Sequence, residues 1–186
     1  MGHGLTPASK SMLVIMKDLS ASNDWMVMTN DLWSSPNQQY LKINTNAGVA
    51  TSGADIYNVN NTTFKNDYRN TAGSSYVAYC WHSVPKYSKL GTYTGNGSAT
   101  GPIVSTGFRP TWLMVKRADS TSWWNIQDDK RDPVNPRIHV LGANDSSAEI
   151  NSSNYAIDFN DDGFQLLNSF GDWNASGGTY IYITFA

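Results

Sequence analysis

Two stretches of this chain can be laid on one another. Met12 to Trp81, behind His3-Gly4-Leu5-Thr6-Pro7, matches Trp112 to Phe185, behind Thr106-Gly107-Phe108-Arg109-Pro110. SMLVIMK falls on TWLMVKR, IYNVNNTTF on AIDFNDDGF, and NTAGSSYVAYCW on NASGGTYIYITF. Gly, Pro and apolar positions keep step while most polar positions drift, as expected when two copies share only a backbone plan. The overlay predicts two similar units, 1–85 and 106–186, joined by a connecting strand and turn over 86–105, and the duplicated plan is read as scaffold.

The composition points to β structure. Tyr, Trp and Phe are plentiful, charged residues make up only 15% of the chain, and Glu149 is its one glutamate; long helices draw more heavily on Glu and Lys. Apolar runs at Met12 to Lys17 and Trp112 to Arg117 each follow a Gly-x-x-Pro segment, which keeps them out of helix. Further strands are predicted at Trp25 to Met28 and Trp123 to Gln127, Tyr40 to Ile43 and Ile138 to Leu141, Asp55 to Val59 and Tyr155 to Phe159, and from Phe64 and Phe164 onward. The last pair, Ser75 to Val84 and Thr179 to Phe185, alternates cleanly, placing Tyr76, Ala78 and Cys80 on one face and Val77, Tyr79 and Trp81 on the other. About six short strands per unit predict an all-β fold of two β-sandwich or jelly-roll-like units, with no helix beyond a turn or two. When residues 12–84 are superposed on 112–186, Pro36 should fall near Pro136, and Phe64 near Phe164.

Several function classes drop away. A net charge of −2 without a Lys/Arg cluster leaves no footprint for nucleic acid. The start lacks a signal peptide, and no apolar run approaches the roughly 20 residues that span a bilayer. One cysteine, Cys80, makes no internal disulfide and reads as a strand residue of the core.

Residues near Leu90 carry a resemblance. Tyr87-Ser88-Lys89-Leu90-Gly91-Thr92-Tyr93-Thr94-Gly95-Asn96-Gly97, followed by Gly101-Pro102, Thr106-Gly107-Phe108-Arg109-Pro110, Lys130-Arg131-Asp132-Pro133 and Gly177-Gly178-Thr179-Tyr180-Ile181-Tyr182, resembles a domain of tailed-bacteriophage structural proteins. It is most similar to versions in marine phages, which occur in tail-fibre-like chains and often near concanavalin-like lectin segments. The resemblance implies a virion protein made in the host cytoplasm, with no catalytic residues and no cofactor. Its partners would be copies of itself, other virion proteins and cell-surface glycans. A trimer is the first expectation, because the resembled fibres are commonly trimeric. The uncharged terminal run Thr179 to Phe185, apolar on both faces, also predicts burial between layers and self-association.

Candidate chemistry is sparse. Asp158, Asn160 and Asp162 open a calcium-loop pattern, but Ser169 stands where the bidentate Glu belongs, and a hairpin turn through Asp162-Gly163 accounts for the same residues. Glycosidase chemistry would fall to Glu149 and the adjacent Asp128-Asp129, whose neighbours on a strand point to opposite faces. The three histidines are scattered, and no Gly-x-Ser-x-Gly elbow is present. A non-enzymatic structural module is therefore expected, with a carbohydrate-binding module as the alternative. For the latter, Trp123 is the exposed ring of the Trp123-Trp124 pair, Trp124 being its core member, and Trp173 sits in a loop without a counterpart in the first unit. Arg109, present only in the second unit, completes the candidate ligand residues.

Overall fold

The computed structural model describes residues 2–5, 11–32, 38–52, 57–59, 62–66 and 72–186. In the first unit the strands are β1 (Met12–Asp18), β2 (Met26–Thr29), β3 (Gln38–Lys42), β4 (Ala50–Ser52), β5 (Tyr57–Val59), β6 (Phe64–Asn66) and β7 (Tyr76–His82). Then follow β8 (Ser88–Thr94), β9 (Ile103–Ser105), β10 (Trp112–Arg117), β11 (Trp124–Asp128), β12 (His139–Gly142), β13 (Ile150–Asn151), β14 (Ile157–Asn160), β15 (Gly163–Leu166) and β16 (Thr179–Phe185). A single helical turn, α1 (Gly171–Asn174), precedes β16. The chain is all-β, built from antiparallel sheets.

A five-stranded first sheet, β4-β3-β2-β1-β7, and a six-stranded second sheet, β13-β12-β11-β10-β16-β8, lie face to face. Leu13, Ile15, Val27 and Leu41 of the first meet Leu90, Met114, Trp124, Ile181 and Ile183 of the second along this seam. Each sheet has a second apolar face as well. On the first, Met12, Val14, Met16, Met26 and Met28 pack with Phe64 of the β5-β6 hairpin. On the second, Leu113, Val115, Tyr180 and Tyr182 pack with Phe159, Phe164 and Leu166 of a small outer sheet, β14-β15-β9. Strands buried on both faces need unbroken apolar runs rather than alternation, which accounts for the sequences of β1 and of the central part of β16. Burial of β16 between layers follows the expectation for its two apolar faces, but it lies between β10 and β8 and is not an edge.

The two units share a strand order and, position for position, a register. Ile15 faces Val27 and Tyr79, while Met114 faces Ile126 and Ile183. The Trp25 N–H donates to Asn44 Oδ1 at 2.9 Å, and the Trp124 N–H donates to Asn144 Oδ1 at 2.8 Å. Gly2 bridges Thr63 as Ser105 pairs with Gly163. These pairings correct the sequence overlay at one place: Ile15 stands where Met114 does, one residue away from the match of SMLVIMK with TWLMVKR. The difference is large in effect, because a one-residue slip turns every side chain to the opposite face. Leu13 points to the seam, whereas Leu113 belongs to the outer core.

The segment 86–105 also differs from the expected connection. β8 pairs with β16 over its full length and β9 pairs with β15, so both are strands of the second unit's sheets. Pro36 and the beginning of the predicted strand Asp55 to Val59 lie outside the described residues.

Candidate binding cleft

Along the seam, Trp25, Tyr79 and Trp81 line a cleft of about 500 Å³ together with Ile15, Ile43, Asn44 and Ala143. The sheet register places these rings. Tyr79 and Trp81, two residues apart on β7, share a face, and Ile15 lies between Tyr79 and β2. The Trp25 and Tyr79 ring centroids are 6.4 Å apart with planes 21° from parallel, and those of Tyr79 and Trp81 are 6.1 Å apart at 22°. Tyr79 is 47% exposed and flanked by the half-buried Trp25 and Trp81, so the three rings form one partly exposed aromatic patch. A polar rim flanks Trp25: Asn44 Nδ2 donates to Asp24 Oδ1 at 2.9 Å, and Lys42 Nζ lies 2.7 Å from Asp24 Oδ2. A flat apolar floor beside amide, carboxylate and ammonium groups can cover C–H faces of a ligand while bonding its hydroxyls.

The second unit closes the same three positions. Trp124 is 1% exposed, and its Nε1–H donates across the seam to the Lys42 carbonyl at 2.9 Å. Ile183 and Phe185 stand where Tyr79 and Trp81 do, facing Met114 and Trp112. Next to them, Ala143 takes the place of Ile43, each donating its backbone N–H to the tryptophan of its own unit. The short Ala143 side chain leaves room beside Trp25.

The sequence candidates lie elsewhere. Trp173 is fully buried in the outer core, on α1, and presents no ring to a ligand. A tryptophan without a counterpart reads as an addition for binding; here it fills space beneath Tyr93, whose hydroxyl donates to the Trp173 carbonyl at 2.8 Å. Trp123 is half-buried and packs on Gly142, whose Cα could carry a Cβ only 3.3 Å from the ring. Arg109 is exposed, and its charge, after burial, helps lower the pKa of the fully buried Arg137, which lies 4.3 Å over the Phe159 ring. None of the three lines the cleft.

Asp158 is half-buried on β14, Asn160 is exposed, and Asp162 accepts a hydrogen bond from Ser105 Oγ at 2.5 Å. Among the described residues no three or more His, Cys, Asp or Glu side chains are grouped to hold a metal. The hairpin turn is Asp161-Asp162, closed by the Asn160 and Gly163 pair, one residue earlier than the sequence suggested. Gly163 serves another purpose: a Cβ there would meet the Val104 carbonyl oxygen of β9 at 2.0 Å.

Among the carboxylates considered for hydrolysis, Asp128 and Glu149 both pair with Arg131. Burial raises the Asp128 pKa, but the backbone and guanidinium of Arg131 bring the carboxyl below its ordinary value, the reverse of what a proton donor needs. Cys80 is half-buried, and desolvation pushes its thiol up, away from a reactive thiolate. The cleft was missed in the sequence because Trp25, Tyr79 and Trp81 sit in ordinary strand patterns. Their one visible signal is the exchange of Ile183 and Phe185 in the second copy for two larger aromatic rings in the first.

Fold and cleft together define an all-β protein of packed antiparallel sheets with an aromatic cleft along the seam. The chain belongs to the family described as Domain of unknown function (DUF7483), whose model matches residues 1–186. No curated protein and no solved structure matches it.

Proposed function

We propose that this protein is a non-enzymatic adhesion module of a phage virion appendage, and that its cleft takes the apolar faces of sugar rings in a surface polysaccharide. The observation that carries the reading is the row of three rings, Trp25, Tyr79 and Trp81, each near-parallel to its neighbour: Tyr79 and Trp81 stand on β7 and Trp25 just ahead of β2, with Tyr79 exposed and both tryptophans half-buried. Rings held by a sheet lose little freedom when a ligand arrives, and rigid aromatic surfaces suit repeating sugars, whose flat C–H faces recur along a chain. The virion setting rests on the likeness of the Tyr87 to Pro110 segment to phage structural domains. The repeated plan suits a stiff appendage piece.

A glycan array followed by calorimetry tests the binding. The intact chain should bind at least one polysaccharide class at millimolar or tighter affinity. Tyr79→Ala should weaken that binding about tenfold, or ~1.4 kcal/mol, with the melting transition little changed because Tyr79 is half exposed. Binding that survives Tyr79→Ala, or no glycan bound at millimolar concentration, overturns the saccharide reading. A second, structural reading within the same appendage, with copies of the chain and other virion proteins as partners, is favoured by the outer edge of β7, with which no strand among the described residues pairs.

A further inference from the structure

β7 and β16 occupy the same place in their sheets. Each pairs with the central apolar strand of its unit, β1 or β10, in the same register: Leu13 faces Trp81 as Trp112 faces Phe185. Their other edges differ. β16 is covered by β8 through seven consecutive antiparallel pairs, from Thr179 with Thr94 to Phe185 with Ser88. β7 ends the first sheet, and no strand among the described residues pairs with its outer edge.

Exposure follows the difference in coverage. Tyr180, Ile181, Tyr182 and Ile183 are 0–5% exposed, whereas no residue of β7 is buried and Tyr79, the counterpart of Ile183, is 47% exposed. Edge strands normally carry a charge, a proline or a bulge that blocks pairing with another chain. The β7 sequence Tyr-Val-Ala-Tyr-Cys-Trp-His contains no Lys, Arg, Asp, Glu or Pro, and it pairs with β1 without a break in register.

We propose that the outer edge of β7 is a strand-acceptor site, and that its occupant is an extended strand of the β8 type from another unit of the same plan. β8 on β16 is the template for the contact. Transferred in register, the occupant's leucine, the counterpart of Leu90, comes opposite Tyr79 on the seam side, as Leu90 stands opposite Ile183, so that strand and sugar would compete for the Tyr79 ring. Gly91 of β8 faces Tyr182 of β16, whose Oη a Cβ at Gly91 would approach to 2.9 Å. On β7 the counterpart of Tyr182 is Ala78, so the acceptor admits a small side chain at that position as well as glycine. Backbone hydrogen bonds would supply affinity, and the leucine position would supply register.

Cys80 makes the register testable. It is the chain's only cysteine, and its counterpart Thr184 faces Lys89. A synthetic peptide of residues 86–96 bearing Lys89→Cys should therefore place its thiol opposite Cys80, while the same peptide with Leu90→Cys points its thiol to the other face. Incubated with the intact chain in a glutathione buffer, the first peptide should form the mixed disulfide about tenfold faster than the second. In a parallel measurement without cysteine chemistry, a Cys80→Ser chain and the natural 86–96 peptide should show hydrogen-exchange protection at alternate amides of β7, with β16 unchanged. Equal cross-linking rates for the two peptides, or no added protection of β7, overturn the proposal.

Discussion

Trp25 and Trp124 hold the same place in two sheets of like strand order, yet one lines a cleft and the other is sealed in the core. Both backbones are fixed alike, each tryptophan N–H donating to an Asn one loop away. What differs is the cover. Lys42 and Ile43 of the first unit reach Trp124, while the second unit sets Ala143 beside Trp25. Along β16 the strand β8 adds Leu90 to the seam, and β7 has no such neighbour among the described residues. A shared backbone plan therefore sets where rings can stand, and a few facing side chains decide which become core and which remain exposed.

The sharpest way to break this contrast is to remove each ring. Trp124→Ala should cost about 3–5 kcal/mol of unfolding free energy, because it opens a cavity in the seam and removes the indole hydrogen bond across it to the Lys42 carbonyl. Trp25→Ala should cost less, about 2 kcal/mol, since the ring is only partly buried. Urea denaturation of the two variants checks the difference, and equal losses would mean that the seam treats the two faces alike.

Much of the fold was legible because strand patterns could be read twice, and the predicted β1, β2, β7, β10, β11 and β16 stand within a few residues of their observed limits. What the sequence could not supply was non-local. The assignment of β8 to the second sheet depends on pairing with a strand more than eighty residues away, and a linear scan sees only a run between two copies. The slip between Leu13 and Leu113 has a related cause: both lie in runs apolar on every position, so alternation cannot say which face is which. For the site, the overlay drew attention to residues present in one copy only. Trp173 is such a residue and is core, whereas the cleft uses positions that both copies fill.

Two lysines sharpen the comparison further. Lys17 Nζ donates to the carbonyls of Ala21 and Asn23 within its own loop. Its counterpart Lys116 donates to Ser122 and also crosses the seam to the Asn46 carbonyl at 3.1 Å. Burial lowers the Lys116 pKa from 10.5 to about 8, with the Asp172 carboxylate opposing that fall. The unfolded chain thus binds the proton more tightly than the folded one. The resulting penalty is fully present below about pH 8 and is relieved as pH rises toward 10.5, so this group makes stability increase with pH in that window. Melting temperatures between pH 7.5 and 9.5 should rise relative to those of Lys116→Met, which has no proton to lose; parallel curves for the two proteins would remove the assignment.

The smallest change in stability should come from Ala143→Ile, and it tests the cause of the cleft directly. Ala143 is exposed and lines the open space beside Trp25, so the larger side chain enters a void rather than a packed core and forces no neighbour aside. It would give the second unit the residue that the first carries at Ile43, which packs against the seam. Covering part of the Trp25 ring should change unfolding free energy by no more than about 1 kcal/mol, in the stabilising direction. The same substitution should abolish saccharide binding on the glycan array, because the floor of the cleft is then occupied by the protein's own side chain. Binding retained in Ala143→Ile at wild-type affinity would mean that ligand recognition lies outside the seam, and that the open rings of the first unit are only an unfilled edge of the core.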